Sequence, residues 1–272
     1  RMFDHKEIEA HEVTRGMVRD FRDTLSSTIS KQTGKPLAVG SINRLLSALG
    51  TLLSFAEHEG YFDYIPHWSL PTTGIRLKDK DMAEHRLPFS REDIQKIFTY
   101  TDELPMKIAF YTGARLSEII QLTTADIKTV RGTLVFDFNA DDGKQIKNKS
   151  SIRQVPVHKA IIDDVLALKE DRKKHPKSWH KRRGQLFNFK NSGSASKHFL
   201  YVLRDKVGIT DPKKVFHSFR HTMKDMMRNN NTDLMIQNAI LGHSSKGVGE
   251  SYGSGHAIET MALEVNKIPT IR

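Results

Sequence analysis

Four side chains near the end of the sequence could do chemistry together: His217, Arg220, His243 and Tyr252. They lie in VFHSFRHTMKDMMRNNNTDLMIQNAILGHSSKGVGESYG, from Val215 to Gly253. Three cationic or protonatable groups precede one hydroxyl nucleophile, and no acidic residue with metal-ligand spacing accompanies them. That inventory suits attack of a tyrosine on a phosphodiester without a metal. In-line attack places extra negative charge on the nonbridging oxygens. Arginine offers a planar donor fork that stays protonated and fits phosphate bidentately. Arg220 and, upstream, Arg115 are the candidates for that role. A phenol ionises near pH 10 (about), so Tyr252 needs a base or a positive field. His217 is the candidate base, and His243 a candidate hydrogen-bond partner of a phosphate oxygen. His217 and His221 have the i,i+4 spacing of helical zinc ligands. Ser218, however, stands where a metalloprotease motif has Glu, so no metal site is expected.

Composition narrows the partners. Of 272 residues, 38% are hydrophobic and 28% charged, which describes a globular chain able to bury a core. Cysteine is absent, which excludes a disulfide framework, a thiolate metal site and a cysteine nucleophile. The opening segment RMFDHKEIEAHE is too charged for a secretory signal. No membrane-spanning run is expected, so the expected location is cytoplasmic, on the nucleoid when DNA is bound. The net charge is +11. Residues 1–88 hold 12 basic and 12 acidic side chains, so the whole surplus lies in residues 89–272. Residues 144–214 hold 19 basic and 6 acidic side chains, which is where a phosphate backbone would be drawn first.

The elements that must position these groups are mostly helical. In residues 1–70, HEVTRGMVRDFRDTLSS carries Val13, Met17, Phe21 and Leu25 on one face. After the break KQTGKPLAVG, a second helix has Ser41 as candidate N-cap and Gly60 as stop. Its expected buried stripe is Leu45, Ala48, Leu49, Leu52, Phe55 and Ala56, and its polar face offers Arg44, Ser47 and Thr51. Residues 71–88 read as a linker, rich in proline and charge. The second domain, 89–272, opens with a capping box of Ser90 and Asp93. Next come an apolar helix, a turn at Gly113, and a helix from about Arg115 to Leu122. GTLVFDFNA alternates as a strand with SSIRQVPV as its partner, so Lys147 and Lys149 fall at or beside the hairpin tip. Helices follow over 160–175, over SKHFLYVLRDKVG, and over about 256–268. In the last of these, Ile258, Met261, Ala262, Val265 and Ile268 share one face. The fold class is therefore mainly α with a small antiparallel sheet. Lys181, Arg182 and Arg183, beside Trp179 and His180, form a basic loop that could grip phosphates.

TGARLSEIIQL at 112–122, KNKSSIRQVPV at 147–157, HSFRHT at 217–222, LGHSS at 241–245, and Tyr252 nine positions after His243 together resemble the tyrosine recombinases of the phage integrase family. Each box alone is a weak signal. Their order and spacing across most of 89–272 are not. The resemblance implies a catalytic domain behind a helical core-binding domain that contacts DNA, here through Arg44, Ser47 and Thr51. It implies double-stranded DNA as partner, with Lys149, Arg153 and Lys181–Arg183 as further contacts. It implies catalysis by Arg115, Lys147, His217, Arg220, His243 and Tyr252 through a 3′-phosphotyrosine, with no cofactor. Lys147 would protonate the leaving 5′ oxygen, with Lys149 the alternative. A homotetramer joined by exchange of C-terminal helices is implied, as are accessory DNA-bending proteins. Integration or excision of a mobile element is the leading function. A chromosome-dimer resolvase, a type IB topoisomerase-like enzyme and an inactive DNA-binding relative are the alternatives. The glycines at 247 and 249 depart from the family's pattern, from which a tyrosine segment that orders on DNA is expected.

Overall fold

A computed structural model describes residues 8–31, 34–61, 71–77, 86–175, 184–243 and 257–271. The chain divides into two compact units, Arg1–Glu84 and His85–Arg272.

In the first unit, α1 (Arg15–Ser27) is capped by Thr14, whose hydroxyl accepts from the Met17 amide at 3.2 Å. α2 (Val39–His58) begins earlier than Ser41, on Ala38, with no side-chain cap. The core is Val18, Ile42, Leu46 and Ile75, with Val13, Phe21, Leu25, Leu37, Leu49 and Leu77 half-buried around it. This corrects the expected stripe in part, since of its members Ala56 is buried and Leu49 half-buried. α2 buries Ile42, Leu46, Leu53 and Ala56, whereas Leu52 and Phe55 are 61% and 58% exposed. Both rows repeat at helical spacing, so periodicity alone does not choose between them. Gly50 supplies the reason, because it lies on the Leu46–Leu53 face. A Cβ there would come within 2.8 Å of the Thr72 hydroxyl, so only that face lets the 71–75 turn approach. α2 is also long and apolar enough to cross a membrane, contrary to expectation, yet one face of it packs within this unit. Residues 71–77, read above as linker, close this unit. Asn43 holds both backbone groups of Leu77, at 2.9 and 3.0 Å, and Ile75 is buried.

The second unit begins with α3 (Arg91–Tyr100), whose capping box between Ser90 and Asp93 has both bonds in place. α4 (Leu104–Thr112) is buried almost throughout and ends on Gly113, whose φ of 63° is left-handed. α5 (Leu116–Ile120) follows, with Arg115 as its N-cap residue. Three antiparallel strands come next, β1 (Ile127–Val130), β2 (Thr133–Phe138) and β3 (Arg153–Pro156), in that spatial order. β2 pairs β3 with Val135 opposite Pro156 and Phe138 opposite Arg153. β1 is an element the sequence reading missed. Its four residues include an exposed lysine, and its turn is marked only by Arg131 and Gly132, both at positive φ. α6 (Ile162–Lys174), α7 (Ser192–Tyr201), α8 (Ser218–Asn229), α9 (Leu234–Leu241) and α10 (Ile258–Val265) complete the unit.

Aromatic packing seats α8. Phe219 lies 4.8 Å from Phe89 and 5.6 Å from Phe216, and Phe216 lies 4.8 Å from Phe199. A π-helical turn, Val202–Lys206, aims Arg204 at the carbonyls of Asp211 and Lys214, both at 2.8 Å, just ahead of α8. α10 packs on its own domain, against β3 and β2, with Met261, Val265 and Ile268 in the core. The sequence reading favoured docking on a neighbour. In the single chain this apolar face covers its own sheet.

Gly113 gives the fold a direct test. A Cβ there would meet Leu241 Cδ2 at 2.4 Å and Met223 Cγ at 3.3 Å, on a left-handed backbone. Gly113→Ala should lose roughly 2–5 kcal/mol from overpacking and backbone strain together. The loss should appear as a lower urea midpoint for the second unit. An unchanged midpoint would contradict this packing.

Candidate active site

The site is built around a buried carboxylate. Glu118 closes the first turn of α5, accepting from the Arg115 amide at 2.9 Å and its guanidinium at 2.7 Å. It also accepts from Arg153 Nη2 at 3.0 Å. Burial would raise its pKa, but the charge and hydrogen bonds of Arg153, with those of Arg115, hold it below the usual carboxylate value. Arg115 Nη1 donates also to the Ser151 hydroxyl at 3.1 Å, which joins α5 to the segment entering β3.

Arg153 departs from the expectation of an exposed DNA contact. Its side chain is 6% exposed. It donates to Ile240 O at 2.7 Å and Ser151 O at 2.9 Å, and lies 4.6 Å from the centre of the Phe138 ring. It therefore ties β3 to α5 and to the end of α9. Gly242, in the left-handed conformation after α9, makes this close approach possible. A Cβ there would stand 2.9 Å from Ser150 O and 3.0 Å from Arg153 Nη1.

Arg220 is 5% exposed and donates from Nη1 to Gly113 O at 2.8 Å. Its Nη2 is buried with no hydrogen-bond partner among the described residues. Burial, then repulsion from Arg115 and Arg153, lowers its pKa to about 9, so it stays charged at neutral pH. His217 stands at the start of α8, and His243 directly after Gly242. Burial pulls His217 down to about 4, helped by the charges of His221, Arg220, Arg115 and Lys147. The residue itself is exposed, so the desolvation of its ring is partial and the downward direction rests also on these neighbouring charges. Burial likewise takes His243 to about 4, followed by Arg220, Lys224, Arg115 and Arg153. Both rings are neutral at pH 7.

The structure thus brings Arg115, Lys147, His217, Arg220 and His243 into one electrostatic neighbourhood. Lys147 is exposed, and it lines a cavity of about 520 Å³ together with Arg115, Gln121, Gln145 and Lys190. Lys149 is also exposed but sits beyond Asn148, in a 3-10 turn running Lys149–Ser151. Tyr252, Lys181, Arg182, Arg183 and the segment 244–251 lie outside the described residues. In the first unit Arg44 is exposed, and Thr51 donates to Ser47 O at 3.0 Å. The Ser47 hydroxyl donates to Asn43 O and accepts from Arg76 at 2.8 Å, so it is already engaged. Sequence reasoning missed Lys224, whose charge reaches His243. Its place four residues after Arg220, on the same helix face, was the available signal. It also missed Ser151 and Gly242, which carry no chemistry of their own. Among the described residues no three His, Asp or Glu side chains gather into a metal-binding group.

A helical unit around a three-stranded antiparallel sheet, with its arginines and histidines converging between α5, α8 and α9, has the fold of a tyrosine recombinase catalytic domain. Residues 81–254 match the model of the phage integrase family, and the chain belongs to that family. Among solved structures, the Tn1549 transposon integrase (residues 82–397) with circular intermediate DNA aligns with a TM-score of 0.60 and 17% identity, covering 93% of this chain and 84% of that one. A lambda integrase (residues 75–356) dimer on a COC′ core site gives 0.56 and 18%, covering 96% and 82%. The XerH recombinase bound to its difH substrate gives 0.54 and 19%, covering 86% and 65%. At these identities the likeness is one of fold.

The two histidines make stability depend on pH. Their folded pKa values, about 4, lie below the ordinary 6.5, so the unfolded chain binds more protons between those limits. The stability associated with the neutral rings is complete above about pH 6.5 and is lost as pH falls toward 4. Urea unfolding from pH 7 to 4.5 should show a steady loss, smaller in the His217→Gln/His243→Gln double variant. A double variant that keeps the wild-type slope would contradict the burial described here.

Proposed function

We propose that this chain is a site-specific DNA recombinase that cuts and rejoins strands through Tyr252, integrating or excising a mobile element. The observation that carries the reading is Arg220. Its guanidinium is buried, charged, and left, among the described residues, with an unpartnered nitrogen beside other cations. An unsatisfied buried donor costs about 1–3 kcal/mol, more when charged. A phosphate oxygen would satisfy it and match the surrounding charge.

The chemistry then follows the charges. The phosphate is held by Arg115 and Arg220, whose donors strengthen as charge builds on the nonbridging oxygens. His243, neutral, donates one N–H to a nonbridging oxygen. His217, also neutral, has a lone pair free to take the Tyr252 proton. The Tyr252 oxygen attacks phosphorus, the bond from phosphorus to O5′ breaks, and O5′ leaves with a proton from Lys147. Lys147 is favoured over Lys149 because it shares a cavity with Arg115 and its charge reaches His217. The product is a 3′-phosphotyrosine and a free 5′-hydroxyl. The link keeps the bond energy, so a second strand's hydroxyl restores the backbone without ATP or a cofactor. Strand exchange calls for several copies on DNA, and α10 is the element proposed to pass between them in a homotetramer. Arg44 and Thr51 are the proposed DNA contacts of the first unit. The reaction places the protein with DNA in the cytoplasm, and accessory DNA-bending proteins would act on that DNA.

Covalent capture tests the reading. The protein is incubated with a random pool of nicked duplexes and denatured in SDS, beside Tyr252→Phe. An adduct lost in the variant is expected, and sequencing the captured DNA would supply the site. An adduct that survives moves the nucleophile elsewhere. Binding without any adduct reduces the function to DNA recognition. Salt dependence gives a second test. DNA affinity should fall steeply with salt, and Lys190→Ala should flatten the log–log slope by about one if it loses one phosphate contact. An unchanged slope would remove Lys190 from the DNA path.

A further inference from the structure

The segment carrying Lys147 is fastened to α5 at both ends, on one side by Gln121 and on the other through Ser151 and Arg115. Gln121, at the end of α5, meets Gln145 through both halves of its amide. Its Oε1 accepts from Gln145 N at 2.8 Å and its Nε2 donates to Gln145 O at 3.1 Å. The same Nε2 donates back to Ser117 O at 2.6 Å, which fixes the side chain against its own helix. One residue earlier, the Lys144 ammonium is buried between Asp126 at 2.7 Å and Asn139 at 2.9 Å. Asp126 is held in turn by the amide and hydroxyl of Thr123, at 2.7 and 2.8 Å, and by Asn139 at 2.8 Å. On the far side, Asn148 Oδ1 accepts from Ser151 Oγ at 2.7 Å, and Arg115 donates to that hydroxyl. Only Ile146 and Lys147 lie between the two fastenings.

We propose that Gln121, backed by the Asp126–Lys144 pair, is a positioning residue that holds Lys147 in register with Arg115 for protonation of the leaving oxygen. The inference rests on the reading of Lys147 as that acid. A lysine on a free hairpin would sample many positions, and a displacement of about 1 Å in a reacting group can lower a rate on the order of 100-fold. Tying both flanks to the helix that begins at Arg115 gives acid and phosphate one common frame. The burial of Lys144 fits this. A buried ammonium is tolerated only with its partners in place, so the loop has one low-energy path. That register also separates Lys147 from Lys149, which lies past the second fastening.

The test uses two versions of a nicked duplex recovered by covalent capture. One has oxygen and the other sulfur at the 5′ bridging position of the scissile phosphate. A thiol ionises near pH 8.5 (about), so the sulfur leaves as a thiolate and needs no proton. Lys147→Ala should be slowed roughly 100-fold or more on the oxygen duplex and be close to wild type on the sulfur duplex. Gln121→Met, which keeps the shape and removes the amide, should be slowed roughly 10- to 100-fold on oxygen and recover on sulfur in the same way. Equal slowing on both duplexes would assign Gln121 to general folding and overturn the proposal, as would no slowing at all. A Lys147→Ala defect that sulfur leaves untouched would instead withdraw the acid assignment, and the proposal with it. Amide exchange tests the clamp without DNA. The Gln145 amide should be protected in the wild type and exchange at least about tenfold faster in Gln121→Met. An amide already exchanging at the open-chain rate in the wild type would overturn the clamp.

Discussion

Among the described residues, Glu118 is the buried anion set among three arginines, and the site's geometry depends on it. Like charges in a low-dielectric setting repel strongly, and removing one partner of a buried pair costs about 3–5 kcal/mol. Glu118 answers this by taking Arg115 and Arg153 together while its backbone neighbour, the Arg115 amide, fixes its own position. Arg153 extends the connection to Ile240 O and Ser151 O. The beginning of α5, the beginning of β3 and the end of α9 therefore meet on one carboxylate. Arg220 stays outside this arrangement, its guanidinium bound among the described residues to Gly113 O alone. One negative charge pairs the half-buried Arg115 and the buried Arg153, with the buried Arg220 nearby. It is not enough to neutralise them, and the positive surplus is what a phosphate would meet.

The packing that carries these groups runs through α4. Its end at Gly113 leads into Arg115 and also receives Arg220. Its Tyr111 stacks on His158 with ring centroids 3.9 Å apart, and accepts from the Ile271 amide at 3.1 Å. Burial lowers the His158 pKa, so the ring is neutral. Nδ1 accepts from the Ala160 amide at 3.0 Å, which leaves Nε2–H to donate to Ile268 O at 2.9 Å. The seat of the C-terminal segment and the turn that sets Arg115 thus share one rigid element, two residues apart along α4 and its cap.

Much of this was legible because the chemistry recurs in short boxes. HSFRHT, LGH and TGARLSE each place a side chain at a helix start or end, where the backbone alone fixes its direction. The Arg115–Glu118 pair was visible as an i,i+3 pairing, and the Ser90–Asp93 cap as a spacing. What the sequence did not disclose depends on contacts between distant segments. The choice between two apolar faces of α2 rests on Gly50 meeting Thr72, a contact that no periodicity encodes. Arg153 looked like another cation on a basic hairpin. Its burial follows from Glu118, 35 positions away, and from a carbonyl 87 positions away. β1 was too short and too polar to stand out until β2 paired with it.

The neutral histidines connect the electrostatics to the proposed chemistry. A histidine already protonated by its surroundings could not accept the tyrosine proton, and a basic active site prevents that. Burial first, and then the cations that would meet a phosphate, hold His217 and His243 near 4. A phosphate dianion or diester entering among them brings the opposite charge, which favours the protonated ring and moves the pKa back toward neutrality. A general base works best when its pKa lies near the working pH. Substrate binding would therefore tune the base that acts on it. The coupling is reciprocal, so protonating either ring must tighten the grip on phosphate by the same free energy. Acid conditions would then strengthen DNA binding while removing the lone pair that the proposed proton transfer from Tyr252 requires. Affinity and cleavage should part company on the acid side, because one set of charges governs both.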